Sequence, residues 1–148
     1  MTYKYKFDKI LTLREKEKKD MQAKYSEAVK RFEVVAEELY MLLKKKENLL
    51  DEQQEKMLEG LSVLQIRHNQ TFMGNLEKKI EFVQQEVISA RQQMDLLQKV
   101  LIDKNIEVKK YEKMQEKDYA KHLQFVKHVE SNQMDDLSIQ TFLSKEIW

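Results

Sequence analysis

The stretch Glu59-Gly60-Leu61-Ser62-Val63-Leu64-Gln65-Ile66 decides the fold. The residues before it read as uninterrupted helix, and so do the residues after it. Gly60 is one of only two glycines in the chain. A glycine just past a periodic segment suits the left-handed residue that closes a helix. Ser62 has Gln65 three places on, the spacing of a capping box. The serine oxygen accepts from an orphan N–H of the new helix, and the glutamine reaches back to the serine N–H. Leu61 and Ile66 stand one place before and four places after the cap. That spacing makes a hydrophobic staple, which fixes the direction of the chain as it starts the helix. A three-residue connection leaves room only for an antiparallel reversal. The expected fold is all-α: two long helices in an antiparallel coiled-coil hairpin with a short C-terminal helical tail. Its parts are a first arm over about 5–59, a turn at 60–62, a second arm over about 63–130 and a tail at 131–148, all in one domain.

Composition agrees. The 148 residues include no proline. Proline in a helix interior costs about 3 kcal/mol and glycine about 1 kcal/mol. Charged residues make up 36% of the chain, as expected of a long helix or coiled coil rather than a thick core. The apolar residues form stripes, so they can fill only a thin seam. Cysteine is absent, which excludes disulfides and thiolate metal sites and fits a reducing compartment. The longest purely apolar run, Leu39-Tyr40-Met41-Leu42-Leu43, is far too short to span a membrane, so no direct membrane insertion is expected. The opening Met1-Thr2-Tyr3-Lys4-Tyr5-Lys6-Phe7-Asp8 lacks the apolar segment of a secretory signal. The net charge is +1 with both signs interleaved, so nucleic acid is not an implied partner.

Alternate steps of four and three from Phe7 trace the first-arm seam: Phe7, Leu11, Arg14, Lys18, Met21, Tyr25, Ala28, Phe32, Val35, Leu39, Leu42, Lys46 and Leu49. The heptad repeat is sustained well beyond the three or four needed to read a coiled coil. Arg14 and Lys18 soften it near the amino terminus, and Lys45-Lys46 soften it toward the turn. Long basic stems can lie along apolar surface at wet ends; the alternative is that both ends contact other proteins. The second-arm seam runs Met73, Leu76, Ile80, Val83, Val87, Ala90, Met94, Leu97, Leu101, Lys104, Val108 and Tyr111. Beyond Tyr111 the strict register would put Gln115, Asp118 and His122 inside. A one-residue shift through Tyr119, Val126 and Val129 recovers apolar residues, so a stutter is expected there. Gly74 breaks no periodicity and reads as tolerated within the helix, or as a point of close contact.

With the turn at Leu61, residue i faces roughly residue 122 − i. Leu39 then faces Val83, Val35 faces Val87, Phe32 faces Ala90 and Leu11 faces Tyr111. Large opposite small fills a narrow seam. Val35, Leu39, Val83, Val87 and Leu97 are expected to be its most protected residues. The arms are about 80 Å and about 100 Å long at 1.5 Å per residue. From about Asp118 the second arm therefore lacks a partner within the hairpin, leaving Tyr119, Leu123, Phe125, Val126 and Val129 as exposed apolar surface, a mark of a binding site. Ser131-Asn132-Gln133 interrupts the pattern, and Asp135-Asp136 can cap a short helix carrying Leu137, Ile139, Phe142, Leu143 and Ile147. Trp148 ends the chain.

Catalytic constellations are missing. No nucleophile has a base and an orienting group at a recognisable spacing, and Gly60 and Gly74 are too far apart for a phosphate loop. The carboxylates sit at i, i+4 from lysines on helix faces, where they support the helix. His122 and His128 are six apart and fall on different faces, which argues against a metal pair, and His68 reads as solvated. No enzyme activity, cofactor or metal is expected.

Four stretches resemble the FliJ family of flagellar export proteins. Phe7-Asp8-Lys9-Ile10-Leu11-Thr12-Leu13-Arg14-Glu15-Lys16-Glu17 is similar to that family's opening: an aromatic, a leucine pair, then Arg and Glu. Gln70-Thr71-Phe72-Met73-Gly74-Asn75-Leu76-Glu77-Lys78 has its F-x-x-x-L-E-K look. Ile106-Glu107-Val108-Lys109-Lys110-Tyr111-Glu112-Lys113-Met114-Gln115-Glu116-Lys117 resembles its charged E-V-K-x-x-E-K signature. Gln133-Met134-Asp135-Asp136-Leu137-Ser138-Ile139 resembles its acidic tail motif. The resemblance spans nearly the whole chain and preserves the turn. It implies a cytoplasmic part of the flagellar type III export apparatus, peripherally associated with the cytoplasmic face of the cell membrane. The implied shape is a coiled coil like the γ stalk of rotary ATP synthases. The implied partners are the hexameric export ATPase at the open end, the cytoplasmic domain of the export-gate membrane protein at the turn-side half, and export chaperones. The matching ATPase-side positions are Phe7, Leu11, Arg14, Tyr111, Leu123 and Phe125. The matching gate-side positions are Glu38, Leu42, Lys45, Leu49, Phe72, Leu76, Lys79 and Val83. Leu42, Leu76 and Val83 are also seam residues, for which packing alone is an equal reading; Phe72 flanks the seam.

A generic coiled-coil tether or scaffold is the rival reading, as is a helical chaperone arm of the prefoldin kind. A prefoldin arm needs a β-hairpin body where this chain has a three-residue turn. A tether that pairs along its length should show a long apolar stripe on a second face, whereas one main stripe is apparent here. The turn chemistry makes the first testable statement. Ser62→Ala should lower stability by about 1 kcal/mol through loss of the cap, and Gly60→Val by more because of the positive φ expected there. Thermal melts of the two variants check the order.

Overall fold

A computed structural model of the chain describes residues 2–147. It consists of α1, Asp8–Glu59, and α2, Val63–Ile147, joined by residues 60–62. Gly60 has φ +92°, the left-handed conformation that a helix-closing glycine supplies. Its N–H donates to the Met57 carbonyl at 3.3 Å. The capping box is reciprocal: Gln65 N–H donates to Ser62 Oγ at 3.2 Å, and Ser62 N–H donates to Gln65 Oε1 at 3.2 Å. Leu61 and Ile66 are both partly buried, in keeping with a staple. Lys56 in the last turn of α1 complements the negative end of the helix dipole.

Contacts divide the molecule into two compact units. One comprises Lys19–Ile102 and contains the turn. Its core is a seam cluster of Leu42, Leu76, Ile80 and Val83, with Leu39, Leu49, Met73 and Val87 packed against it. Val83 is only 2% exposed. Ala28 and Ala90 are buried as well, at positions where a small side chain lets the helices approach. Of the five residues expected to be best protected, Val83 is; Val35, Leu39, Val87 and Leu97 are partly buried. A two-helix seam covers each residue on one side only, so full burial goes to positions where neighbours on the facing helix straddle it. A Lys46–Glu77 ion pair at 3.5 Å bridges the seam at its charged position. An exposed pair of this kind is worth at most about 1 kcal/mol. Gly74 has open space where a Cβ would stand, so it is not a close-contact point.

The other unit joins the segment up to Lys18 with the segment from Asp103 onward. Here the expectation of an unpartnered second arm from Asp118 is corrected. Residues before α1 are not helical, and they lie along α2 as far as His122. Tyr5 is buried beside Leu11 and Val108, with Tyr3, Phe7 and Tyr111 packed against them. The Tyr3 ring meets Tyr119 and His122, each at 5.1 Å between centroids. The reason is reach. Near-extended chain covers about 3.3–3.6 Å per residue and helix 1.5 Å. The stretch before the turn at Lys6–Phe7, where the Asp8 N–H donates to the Tyr5 carbonyl, is thereby able to bring Tyr3 to Tyr119 and His122, eight and eleven residues of helix past Tyr111.

The position of the expected stutter is also corrected. Gln115 and His122 are partly buried and Asp118 bonds Tyr3, so the strict register continues as far as His122 with polar residues. Their partner is a tyrosine-bearing segment, which offers hydroxyls and ring edges to polar groups, and no apolar helix. Beyond His122, Val126 and Val129 are partly buried and Phe125 is exposed, as the shifted register expects. The tail is helical as expected, but it continues α2 without a break at Ser131-Asn132-Gln133 and without a separate cap at Asp135-Asp136. Nothing in that run forbids helix: it holds no proline or glycine, and its i, i+4 hydrogen bonds are satisfied within the helix, with Asn132 and His128 paired at 3.2 Å. Leu137, Ile139, Phe142 and Leu143 are exposed on it. Trp148 and the Ile147 side chain lie outside the described residues.

Three substitutions in the turn-side unit should separate seam from surface. Ile80→Ala should destabilise by roughly 2–3 kcal/mol. Phe82→Ala, at a side chain 65% exposed, should change stability by less than about 0.5 kcal/mol. Gly74→Ala should stabilise by up to about 1 kcal/mol, because the helix gains propensity and the methyl meets nothing. Chemical denaturation of the three variants checks the ranking.

Candidate partner-binding surfaces

In the unit that holds the amino terminus, Phe7, Leu11, Arg14 and Tyr111 are brought together with the tyrosines. Phe7 lies 5.9 Å from the Tyr5 ring and 6.3 Å from the Tyr111 ring. Leu11 is 6% exposed and belongs to the core, so it is a framework residue rather than a contact surface. The Tyr5 hydroxyl donates to the Tyr111 carbonyl at 3.0 Å. The Tyr3 hydroxyl donates to Asp118 Oδ2 at 2.9 Å. Burial and the Asp118 carboxylate both disfavour a phenolate, and the Tyr3 pKa is pushed up to about 12. Burial likewise raises that of Tyr5. Both phenols stay protonated donors far above neutral pH, and the segment is clasped to α2 by hydrogen bonds as well as by packing.

The softened seam is a polar layer. Arg14 Nη1 donates to both carboxylate oxygens of Glu17, at 3.0 and 3.2 Å, and Lys104 Nζ donates to Glu17 Oε2 at 3.2 Å. Arg14 and Lys104 occupy seam positions on opposite arms, and Glu17 on the flank bridges them. The Lys104 hydrogen bond is the largest influence on Glu17 and outweighs its desolvation; with Arg14 it holds the carboxyl below its ordinary range. The bond to Glu17 in turn raises Arg14. Arg14 Nε is covered and has no hydrogen-bond partner among the described residues. Two cations with one shared anion satisfy each other only in one register.

Leu123 and Phe125 lie past the clasp and are exposed, 45% and 53%. Val126 and Val129 are partly buried. Met134, Leu137, Ile139, Phe142 and Leu143 extend the exposed apolar surface along the tail. Lysines 113, 117 and 121 and Glu116 lie close by in sequence.

In the turn-side unit the sequence-expected positions separate into two groups. Leu42, Leu76 and Val83 are buried and hold the seam, and Leu49 is partly buried against it. Glu38, Lys45, Phe72 and Lys79 are exposed. The Lys45 ammonium sits 5.4 Å from the centre of the Phe72 ring, a cation–π pair across one flank of the seam. The accessible part of that set is thus a charged strip around one half-exposed aromatic ring.

Sequence reasoning passed over Tyr3, Tyr5 and Glu17. The tyrosines precede the heptads, where periodicity carries no signal. Glu17 stands next to a seam position and reads as one more solvated carboxylate. The alternation Tyr3-x-Tyr5-x-Phe7 was the available signal, since aromatics at every second residue present one face only in extended chain.

The fold and these surfaces define a class: an α-helical hairpin that carries exposed apolar and aromatic side chains on highly charged helices. Among the described residues no helix is long and apolar enough to cross a membrane, and no group of metal-ligating side chains is gathered. The family model described as "Flagellar FliJ protein" matches residues 3–146. The chain is 43% identical over 143 residues to the "Flagellar FliJ protein" of Bacillus subtilis (strain 168), covering 97% of both chains. The chain therefore belongs to the FliJ family of flagellar proteins. No solved structure matches it.

The polar layer yields a pH prediction. Glu17 has a folded pKa below its ordinary value of 4.5, so its contribution to stability is complete above the ordinary value and is lost as pH falls through the folded one. Thermal melts should show the wild-type chain losing more stability than Glu17→Gln between about pH 5 and pH 2, with the two curves converging at the acid end. Parallel curves over that window would mean that the layer is not ionised as described.

Proposed function

We propose that the chain is the stalk of the flagellar export apparatus, coupling the hexameric export ATPase to the cytoplasmic domain of the export-gate membrane protein and assisting export chaperones. It does so at the cytoplasmic face of the membrane and catalyses no reaction itself. Membership of the flagellar family supports the export setting. The observation that carries the stalk reading is the pair Leu123 and Phe125, half-exposed on α2 immediately past a rigidly clasped amino terminus. Unpartnered apolar side chains on a charged helix call for a protein partner. The nearby lysines and glutamates supply exchangeable contacts that steer association more than they add affinity. A stalk that must switch among equivalent subunits of a ring gains from that balance, because a large dry interface would hold it in one position. On the turn-side unit, Glu38, Lys45, Phe72 and Lys79 form the gate-side contact, with Phe72 as its aromatic anchor. Leu42, Leu49, Leu76 and Val83 serve it by holding the strip in shape, as Leu11 does for the ATPase end.

The test uses the full chain with two point-variant sets. Leu123→Ala/Phe125→Ala should reduce stimulation of ATP turnover severalfold and leave gate-domain binding unchanged by calorimetry. Phe72→Ala should weaken gate binding by about tenfold, the loss of one central aromatic contact, and leave ATPase stimulation intact. Neither residue is in the seam, so circular dichroism should report unchanged helicity for both. If Leu123→Ala/Phe125→Ala loses the gate and keeps the ATPase, the assignment of the two ends is reversed. If neither variant alters binding to either partner, the chain is a tether and not a stalk.

A further inference from the structure

The two flanks of the first-arm seam differ. On the flank that carries Phe72, the α1 positions next to the seam are Arg31, Glu38, Lys45 and Glu52, charged throughout. On the opposite flank the equivalent heptad positions begin polar, with Asp8, Glu15 and Gln22, and then become Val29, Ala36, Leu43, Leu50 and Met57. These five repeat every seven residues over about 42 Å of helix, all within the turn-side unit. A single-seam reading of the sequence passes over this second stripe. Leu43, Leu50 and Met57 are 43%, 45% and 65% exposed, and Val29 and Ala36 are partly buried. Leu43 borders a shallow groove lined also by Lys46, Glu77, Ile80 and Gln84, which shows which residues of α2 share this flank.

We infer that this face pairs two copies of the chain, α1 against α1 in antiparallel orientation about a twofold axis at Leu43. The stripe spans four heptads with one apolar residue in each, long enough to align two helices and narrower than the two per heptad of the main seam. The side chains complement themselves. About an axis at Leu43, Leu43 meets its own copy, Leu50 meets Ala36 and Met57 meets Val29, so the layers on both sides of the axis set large opposite small. The charges choose the direction. In the antiparallel pairing Glu47 meets Tyr40, Glu33 meets Gln54, and on α2 Glu77 meets Gln84, which leaves Glu81, beside the axis, as the one like-charge approach. A parallel pairing would set Glu33, Glu47 and Glu77 each against its own copy, three repulsive layers beside one apolar stripe. Lys45 and Phe72 lie on the other flank and stay free, so the pairing is independent of the gate-side contact.

The absence of native cysteine makes the geometry directly testable. The full chain is expected to sediment as a concentration-dependent dimer, and Leu43→Glu as a monomer of unchanged helicity. Under mild oxidation Leu43→Cys should cross-link to itself rapidly, because only residues near the axis bring their Cα atoms within about 4.4–6.8 Å of their own copies. Leu50→Cys should cross-link poorly alone and well when mixed with Ala36→Cys. Sedimentation as a monomer up to about 100 µM, a concentration at which even weak association is populated, would overturn the inference and leave the stripe to a different protein. So would Phe72→Cys cross-linking as fast as Leu43→Cys, which would put the pairing on the wrong flank. Equal self-linking of Leu43→Cys and Leu50→Cys would overturn the antiparallel direction.

Discussion

The reversal at Gly60–Ser62 is the constraint from which register follows. A left-handed glycine ends α1, and a serine one residue beyond Leu61 starts α2 with both of its cap hydrogen bonds made. With three residues between helices there is no slack to slip by a turn. Each residue of one arm is therefore assigned its neighbours on the other before any side chain packs. In the turn-side unit Leu42 falls among Leu76, Ile80 and Val83, and in the other unit Leu11 falls beside Val108. A thin seam cannot set this alignment on its own. Leucine and valine recur every three or four residues, and a slipped pairing would bury nearly as much apolar area.

Charged residues at seam positions remove what degeneracy is left. Arg14 and Lys104 stand at seam positions on opposite arms, and both take Glu17 as their anion. Lys46 does the same with Glu77. Displacement by one heptad would separate each cation from its carboxylate. Such layers contribute little net stability, because desolvation offsets the attraction. What they contribute is selection, since the penalty for the wrong register is larger than the gain from the right one. The same logic explains why the seam tolerates polar residues at Gln115, Asp118 and His122. Their partner there is a tyrosine hydroxyl and ring, and a leucine in place of Asp118 would take away the carboxylate to which the Tyr3 hydroxyl donates.

Periodicity made the helices legible and hid what lies beside them. The turn, both caps and the main seam are readable from Gly60, Ser62, Gln65 and a sustained heptad, because local chemistry and tertiary packing there demand the same residues. The clasp was not readable from heptads. Residues 2–7 are outside any helical repeat, and their reach along α2 depends on the difference in rise between extended and helical chain. The tail failed for the opposite reason. Ser131, Asn132 and Asp135 are weak helix formers, and three within five residues suggest a boundary, yet each costs only a few tenths of a kcal/mol, too little to end a helix already about nineteen turns long. Of the surface positions that the family resemblance points to, those at seam spacing up to Tyr111 proved buried or partly buried, and Glu38, Lys45, Phe72 and Lys79, one place off the seam, proved exposed. Whether a residue packs or presents itself is set by a rotation of one heptad position, and a motif match does not resolve that.

The two flanks of the turn-side seam suit different kinds of partner for a physical reason. Side chains beside a two-helix seam are half covered, so they can offer only part of their apolar area. Where the flank is charged, as at Glu38, Lys45 and Lys79, binding draws on electrostatic steering and on a single ring, Phe72, already held by a lysine. A partner held by such a surface would associate and release readily. Where the flank is apolar, as at Leu43, Leu50 and Met57, affinity can come only from excluding water along a continuous line, and that requires a partner with a matching repeat. In an antiparallel pairing the chain itself offers one. The seam between the flanks, with Val83 at its centre, is common to both and belongs to neither, so it can hold one surface in shape while the other is occupied.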